Sequence, residues 1–111
     1  MQQDIRALPA HYLLPEKPFA SLDDYRETKG DALSKARNMS PAEIINEITK
    51  ANLRGRGGAG FPTGLKWQTL YNDKADRKFV VVNAAEGEPG TFKDRMVLRK
   101  NPYALIEGVL I

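Results

Sequence analysis

Four stretches of the chain carry an ordered apolar pattern. Ile44, Ile45, Ile48 and Ala51 recur at helical spacing, with Glu43, Asn46, Glu47 and Lys50 on the opposite side. The pattern predicts a helix from about Pro41 to Ala51. Ser40-Pro41-Ala42-Glu43 supplies its start, with an N-cap serine, a proline where no N–H is needed, and a glutamate that reaches back. Met39 and Ile44 are placed to staple the entry, and Asn52 to end the helix. Leu65 to Tyr71 predicts about two further turns, with Trp67, Leu70 and Tyr71 on or near one face. Phe79-Val80-Val81-Val82 is an unbroken apolar run, and predicts a strand buried on both faces, as in a parallel sheet. Asn101-Pro102 opens a last helix whose Ala104, Leu105, Ile106, Val109 and Leu110 run to the final residue, Ile111. One strand is not a sheet. The fold class expected is therefore α/β, helix-rich with one clear buried strand, and a fragment of a domain truncated at its C-terminal side.

The remaining segments are read from punctuation. Pro9, Pro15 and Pro18 keep residues 1–20 from becoming helical and predict an extended arm. That arm holds His11, the only histidine, with no carboxylate or second histidine near it in sequence, which favours a surface or packing residue over a ligand. Ser21 with Asp24 predicts a short helix that Gly30 stops, and Asp31 caps a further turn or two over 32–37. Residues 72–78 form a polar turn. Thr91 to Lys100 has scattered apolar positions and four basic residues, without a clear period.

Composition narrows the class. The 111 residues suit one domain, and 41% hydrophobic with 28% charged residues is globular. A net charge of +3 hardly argues for a nucleic-acid partner. Zero cysteines exclude disulfides and any cysteine-ligated metal centre within this chain. Apolar runs are a few residues long, so direct membrane insertion is not expected, and no signal peptide is visible.

The chemistry concentrates in two places. Gly55-Arg56-Gly57-Gly58-Ala59-Gly60-Phe61-Pro62-Thr63-Gly64-Leu65-Lys66-Trp67 holds five of the nine glycines and leads into a helix. Such a run offers unpaired N–H groups and a positive dipole end to an anion, with Arg56 and Lys66 adding charge. Its reading is a phosphate or flavin cradle. The spacing of Gly55, Gly57 and Gly60 matches the dinucleotide fingerprint as text, but a helix precedes it and Phe61-Pro62 interrupts the segment after it. A Walker loop is excluded, because no glycine-lysine pair is followed by serine or threonine. The arginine-glycine box of RNA-binding tracts is single here and lies between amphipathic elements. A plain glycine turn without a ligand is the structural alternative. The second place is Asn83-Ala84-Ala85-Glu86-Gly87-Glu88-Pro89-Gly90, at the carboxyl end of the expected strand, where open α/β sheets bind ligands. Glu86 and Glu88 form a carboxylate pair suited to acid–base work or a cation, or simply a charged turn. Asn83 brings an amide suited to the edge of a heterocycle.

Together the run 54–67 and the run from Val82 to Arg95 (Val-Asn-Ala-Ala-Glu-Gly-Glu-Pro-Gly-Thr-Phe-Lys-Asp-Arg) resemble the family of flavin-bearing, NADH-oxidising subunits of bacterial NADH:quinone oxidoreductase, with relatives in NAD-linked hydrogenases and formate dehydrogenases. The likeness extends from about Ser21 to Ile111 and matches the N-terminal part of such subunits. It implies a Rossmann-like FMN-binding domain over 21–111, present in part, behind an N-terminal arm over 1–20. It also implies that Gly55, Arg56, Gly57, Gly58, Ala59 and Gly60 wrap FMN and bound NADH, with Lys66 reaching the flavin's polar groups. Asn83 would contact the isoalloxazine with Glu86 close by, Phe61 would pack on the adenine, and Glu88 would lie where the nucleotide enters. Electrons would leave through iron–sulfur clusters, including a 4Fe-4S cluster ligated outside this chain. The implied partners are NADH and the other subunits of the peripheral arm, on the cytoplasmic side of the inner membrane. Two departures stand out: Ala85 where the family usually has aspartate, and Thr69 where it often has an aromatic. These 111 residues alone are expected to be inactive. A non-catalytic nucleotide-binding or assembly module that keeps the loop is the alternative class.

Overall fold

The computed structural model describes residues 13–111. The arm expected over 1–20, with His11, lies largely outside the described residues, and 13–20 are turns and bends. Six helices follow in order: α1 (Leu22–Lys29), α2 (Ala32–Arg37), α3 (Pro41–Lys50), α4 (Thr63–Asn72), α5 (Lys93–Lys100) and α6 (Pro102–Leu110). The chain divides into two compact units. Lys35–Phe79 forms one, and among the described residues the other joins 13–34 to Val80–Ile111.

Within the second of these units, α1 begins where Ser21 Oγ accepts the Asp24 N–H at 3.1 Å, and the Asp24 carboxylate accepts the Ala20 N–H at 2.9 Å. Gly30 ends the helix at φ +84°, donating its N–H to Arg26 O at 2.8 Å. Asp31 caps α2 through the Ser34 N–H at 3.0 Å. The core is aromatic. Tyr25 is buried and stacks on Tyr103 of α6 with ring centroids 5.6 Å apart, while Phe19 meets Tyr25 edge-on at 5.3 Å. Glu107 fastens this cluster: it accepts the Tyr25 hydroxyl proton at 2.6 Å and the Leu33 N–H at 3.1 Å. Asn101 is the N-cap of α6, accepting from Ala104 N at 3.2 Å, and its buried amide donates to Leu13 O at 3.0 Å.

The Lys35–Phe79 unit rests on α3 packed against α4. The capping box at Ser40 and Glu43 forms as its sequence dictates, with the Ser40 N–H on Glu43 Oε2 at 2.7 Å and the Glu43 N–H on Ser40 Oγ at 3.3 Å. Ile45 is buried, Ile44 and Ile48 half-buried, and Ala51 lies outside the stripe, exposed. Asn52 takes φ +50° just past the helix end. On α4 the buried residue is Gly64; of Trp67, Leu70 and Tyr71, expected on or near one face, Trp67 is half-buried and the other two are exposed. A Cβ on Gly64 would run into Thr49 Oγ1, with Thr49 Cα at 3.1 Å. Glycine is what lets the two helices approach.

One expectation is overturned. Phe79–Val82 is not a strand, and among the described residues there is no sheet, only an isolated antiparallel bridge between Arg54 and Pro62. Phe79 is 79% and Val81 84% exposed. β-Branched and aromatic residues favour a strand only where ladder partners exist, and none of the described segments pairs with this one. A second difference lies in Thr91–Lys100, where the unperiodic sequence yields α5.

Candidate functional site

The glycine run is a closed loop between α3 and α4. Its neck is tied by the Arg54–Pro62 bridge, by the Thr63 N–H on Leu53 O at 2.9 Å, and by the Gly55 N–H on Phe61 O at 2.9 Å. Arg54, absent from the expected site, braces the neck: its Nε donates to Asn52 Oδ1 and its Nη1 to Gly60 O, both at 3.2 Å. Gly58 (φ +120°) and Gly60 (φ +61°) adopt backbone that only glycine takes without strain, whereas Gly57 does not. A Cβ on Gly57, Gly58 or Gly60 would meet nothing within 4 Å. No group among the described residues accepts the N–H of Arg56, Gly57, Gly58, Ala59 or Gly60. The loop therefore presents a row of free backbone donors on an open surface. Phe61 is half-exposed at its end, and Lys66 stands exposed in the first turn of α4.

A cleft of about 280 Å³ opens beside the neck, lined chiefly by Ile45, Thr49, Leu53, Gly64 and Leu65, and none of Gly55 to Phe61 contributes to it.

Asn83, Glu86 and Glu88 belong to the other unit. Asn83 Oδ1 accepts the Ala85 N–H at 2.9 Å, an Asx-type turn. Glu88-Pro89-Gly90-Thr91 is a β-turn closed by the Thr91 N–H on Glu88 O at 3.2 Å, with Gly90 at φ +80°. Proline then glycine with positive φ is the type II arrangement. Glu86 is held on both oxygens: Oε1 accepts the Asp94 N–H and Oε2 the Arg95 Nε–H, each at 2.7 Å. Arg95's hydrogen bond, ahead of the backbone N–H groups, holds the Glu86 carboxyl below its ordinary range against the opposing effect of burial. Lys93, paired with Asp94 at 2.8 Å, is pushed up chiefly by that hydrogen bond.

One unit thus presents a loop of free N–H donors ahead of a helix, and the other an Asn–Glu–Glu loop that follows an apolar run. The family model described as the Nuo51 FMN-binding domain matches residues 48–111, and the chain belongs to this family. It is 53% identical over 92 residues to the F subunit of the NADH-quinone oxidoreductase of Aquifex aeolicus, covering 82% of this chain and 21% of that protein. It is 47% identical over 92 residues to the HndC subunit of the NADP-reducing hydrogenase of Solidesulfovibrio fructosivorans, covering 82% and 19%. With the F subunit of the Escherichia coli NADH-quinone oxidoreductase it shares 45% identity over 93 residues, covering 81% and 21%. The chain thus spans about a fifth of the length of these curated relatives.

Proposed function

We propose that this chain forms part of the NADH-oxidising flavoprotein subunit of an NADH:quinone oxidoreductase. In that reading it belongs to a Rossmann-like domain over 21–111 that cradles FMN, behind a short arm. The observation that carries the proposal is the row of unbonded N–H groups from Arg56 to Gly60, with open space where a Cβ would stand at Gly57, Gly58 and Gly60. A phosphate and a polar ring edge fit such a surface, because backbone donors reach an anion only where no Cβ intervenes. Gly55, Gly57, Gly58, Ala59 and Gly60 would line the cradle, and Arg56 and Lys66 would add positive charge near the phosphate. Asn83 would offer its amide to the ring, Phe61 its face to the adenine of NADH, and Glu86 and Glu88 would set the charge along the nucleotide's path. FMN, when bound, supplies the acceptor for hydride from the nicotinamide and releases electrons one at a time.

A 4Fe-4S cluster would sit on cysteines elsewhere in the full subunit, since this chain has none. The partners would be the other peripheral-arm subunits, holding the protein on the cytoplasmic face of the inner membrane. Among the described residues no helix is long and apolar enough to cross a membrane. The test is flavin content of the full-length protein after desalting, for wild type, Gly57→Val and Gly58→Val. Wild type should retain FMN and both variants should lose it. Wild-type flavin content in both variants would mean that the glycines serve only the turn.

A further inference from the structure

Two ties within the 83–91 loop are local, the Asn83 turn and the Glu88–Thr91 turn, and neither fixes the loop to the helix after it. Glu86 does. Its Oε1 receives the Asp94 N–H at the start of α5, and its Oε2 receives Arg95 Nε–H one residue further on. Phe92, the residue at the N-cap position, has no side-chain cap to give. Glu86 thus caps α5 from eight residues upstream of Asp94. Arg95 also reaches back through Nη2 to Thr91 O at 3.4 Å. It therefore grips the chain on both sides of the Glu88-Pro89-Gly90 turn, at Glu86 before it and Thr91 after it. The Glu86 side chain is 8% exposed and that of Arg95 59%. The guanidinium offsets the charge of this nearly buried carboxylate in a short, charge-assisted hydrogen bond at 2.7 Å.

We propose that Arg95 is a positioning residue for the flavin-facing loop, acting through Glu86: it fixes where the carboxylate stands and how much of its charge the loop presents. The inference rests on the flavin function proposed above. Without the Arg95 guanidinium, Glu86 keeps only backbone N–H partners and an uncompensated negative charge. Without the Glu86 charge, Arg95 is left as an uncompensated cation. The two losses act on a nearby flavin with opposite sign, because an anion disfavours the negatively charged reduced form and a cation favours it. A purely structural brace would move both variants the same way.

The experiment uses the full-length, flavin-loaded protein with Arg95→Gln, Arg95→Lys, Glu86→Gln and the double Glu86→Gln/Arg95→Gln. The midpoint potential of the flavin is read by spectroelectrochemistry, and exchange of the Asp94 amide by hydrogen–deuterium exchange. Arg95→Gln should lower the potential and Glu86→Gln raise it, the double variant should fall between them, and Arg95→Lys should restore the wild-type value. The Asp94 amide should exchange about tenfold faster, or more, in Arg95→Gln, as its acceptor loses the restraint. An unchanged potential in Arg95→Gln, or shifts of the same sign in the two single variants, would overturn the proposal. Wild-type protein that holds no FMN would instead overturn the functional reading, and the exchange measurement would then still report whether Arg95 restrains Glu86.

Discussion

The glycines of the cradle do three different physical jobs, which single substitutions separate. Gly58 and Gly60 hold positive φ, Gly57 holds ordinary backbone under open space, and Gly64 has Thr49 against it. Gly58→Ala should destabilise the full-length protein by about 1–3 kcal/mol through backbone strain, whereas Gly57→Ala should stay within about 0.5 kcal/mol. Gly64→Ala should cost about 1–3 kcal/mol by overpacking α3 against α4. Denaturant unfolding of the three variants checks the order, and an equal cost at Gly57 and Gly58 would show that strain does not distinguish them. Ser40→Ala removes the acceptor for the Glu43 N–H and should cost about 1 kcal/mol, read in the same assay.

Helix α5 depends on a charge that lies outside it. Glu86 has its pKa lowered from 4.5 in the folded chain, chiefly by the Arg95 hydrogen bond. A carboxyl whose folded value is depressed contributes stability that is fully present above its unfolded value. That contribution is lost as pH falls through the folded value. The amides of Asp94 to Val97 should therefore be protected at neutral pH and lose protection as pH drops below about 4.5. Glu86→Gln should show weaker protection at neutral pH and a flatter acid profile, both measurable by hydrogen exchange. Glu43 is likewise lowered, first by the Ser40 backbone N–H, so the start of α3 should loosen over the same acid window.

Among the described residues, apolar surface lies open in several segments. Phe79, Val80 and Val81 are each at least 70% exposed, and Leu65, Ile106 and Leu110 are more than half exposed. Ordering these segments costs conformational entropy that no burial offsets here, and contiguous exposed apolar patches favour association. The 111 residues alone should therefore give no NADH–ferricyanide turnover after FMN reconstitution, an assay that bypasses any iron–sulfur cluster. Amides of Val80 to Val82 should exchange without protection in this isolated chain. Robust flavin-dependent turnover would show that a complete site is present in a fifth of the relatives' length.

Features whose partners lie within four residues are written in the local order of the chain. The caps at Ser21, Ser40 and Asn101, the stop at Gly30 and the stripe of α3 are such cases, because hydrogen bonds at i,i+3 and side chains at helical spacing need no distant partner. The glycine loop was legible for the same reason: its free N–H groups lie in a short run dominated by glycine. Features held by remote groups emerge only when the chain is folded. α5 was invisible because its cap is Glu86, eight residues upstream of the amide it holds. Gly64 read as part of the cradle, yet its contact is Thr49, fifteen residues earlier in the chain and one helix away. Phe79–Val82 has the composition of a buried strand and stands exposed, because a strand is made by the ladder beside it rather than by its own side chains.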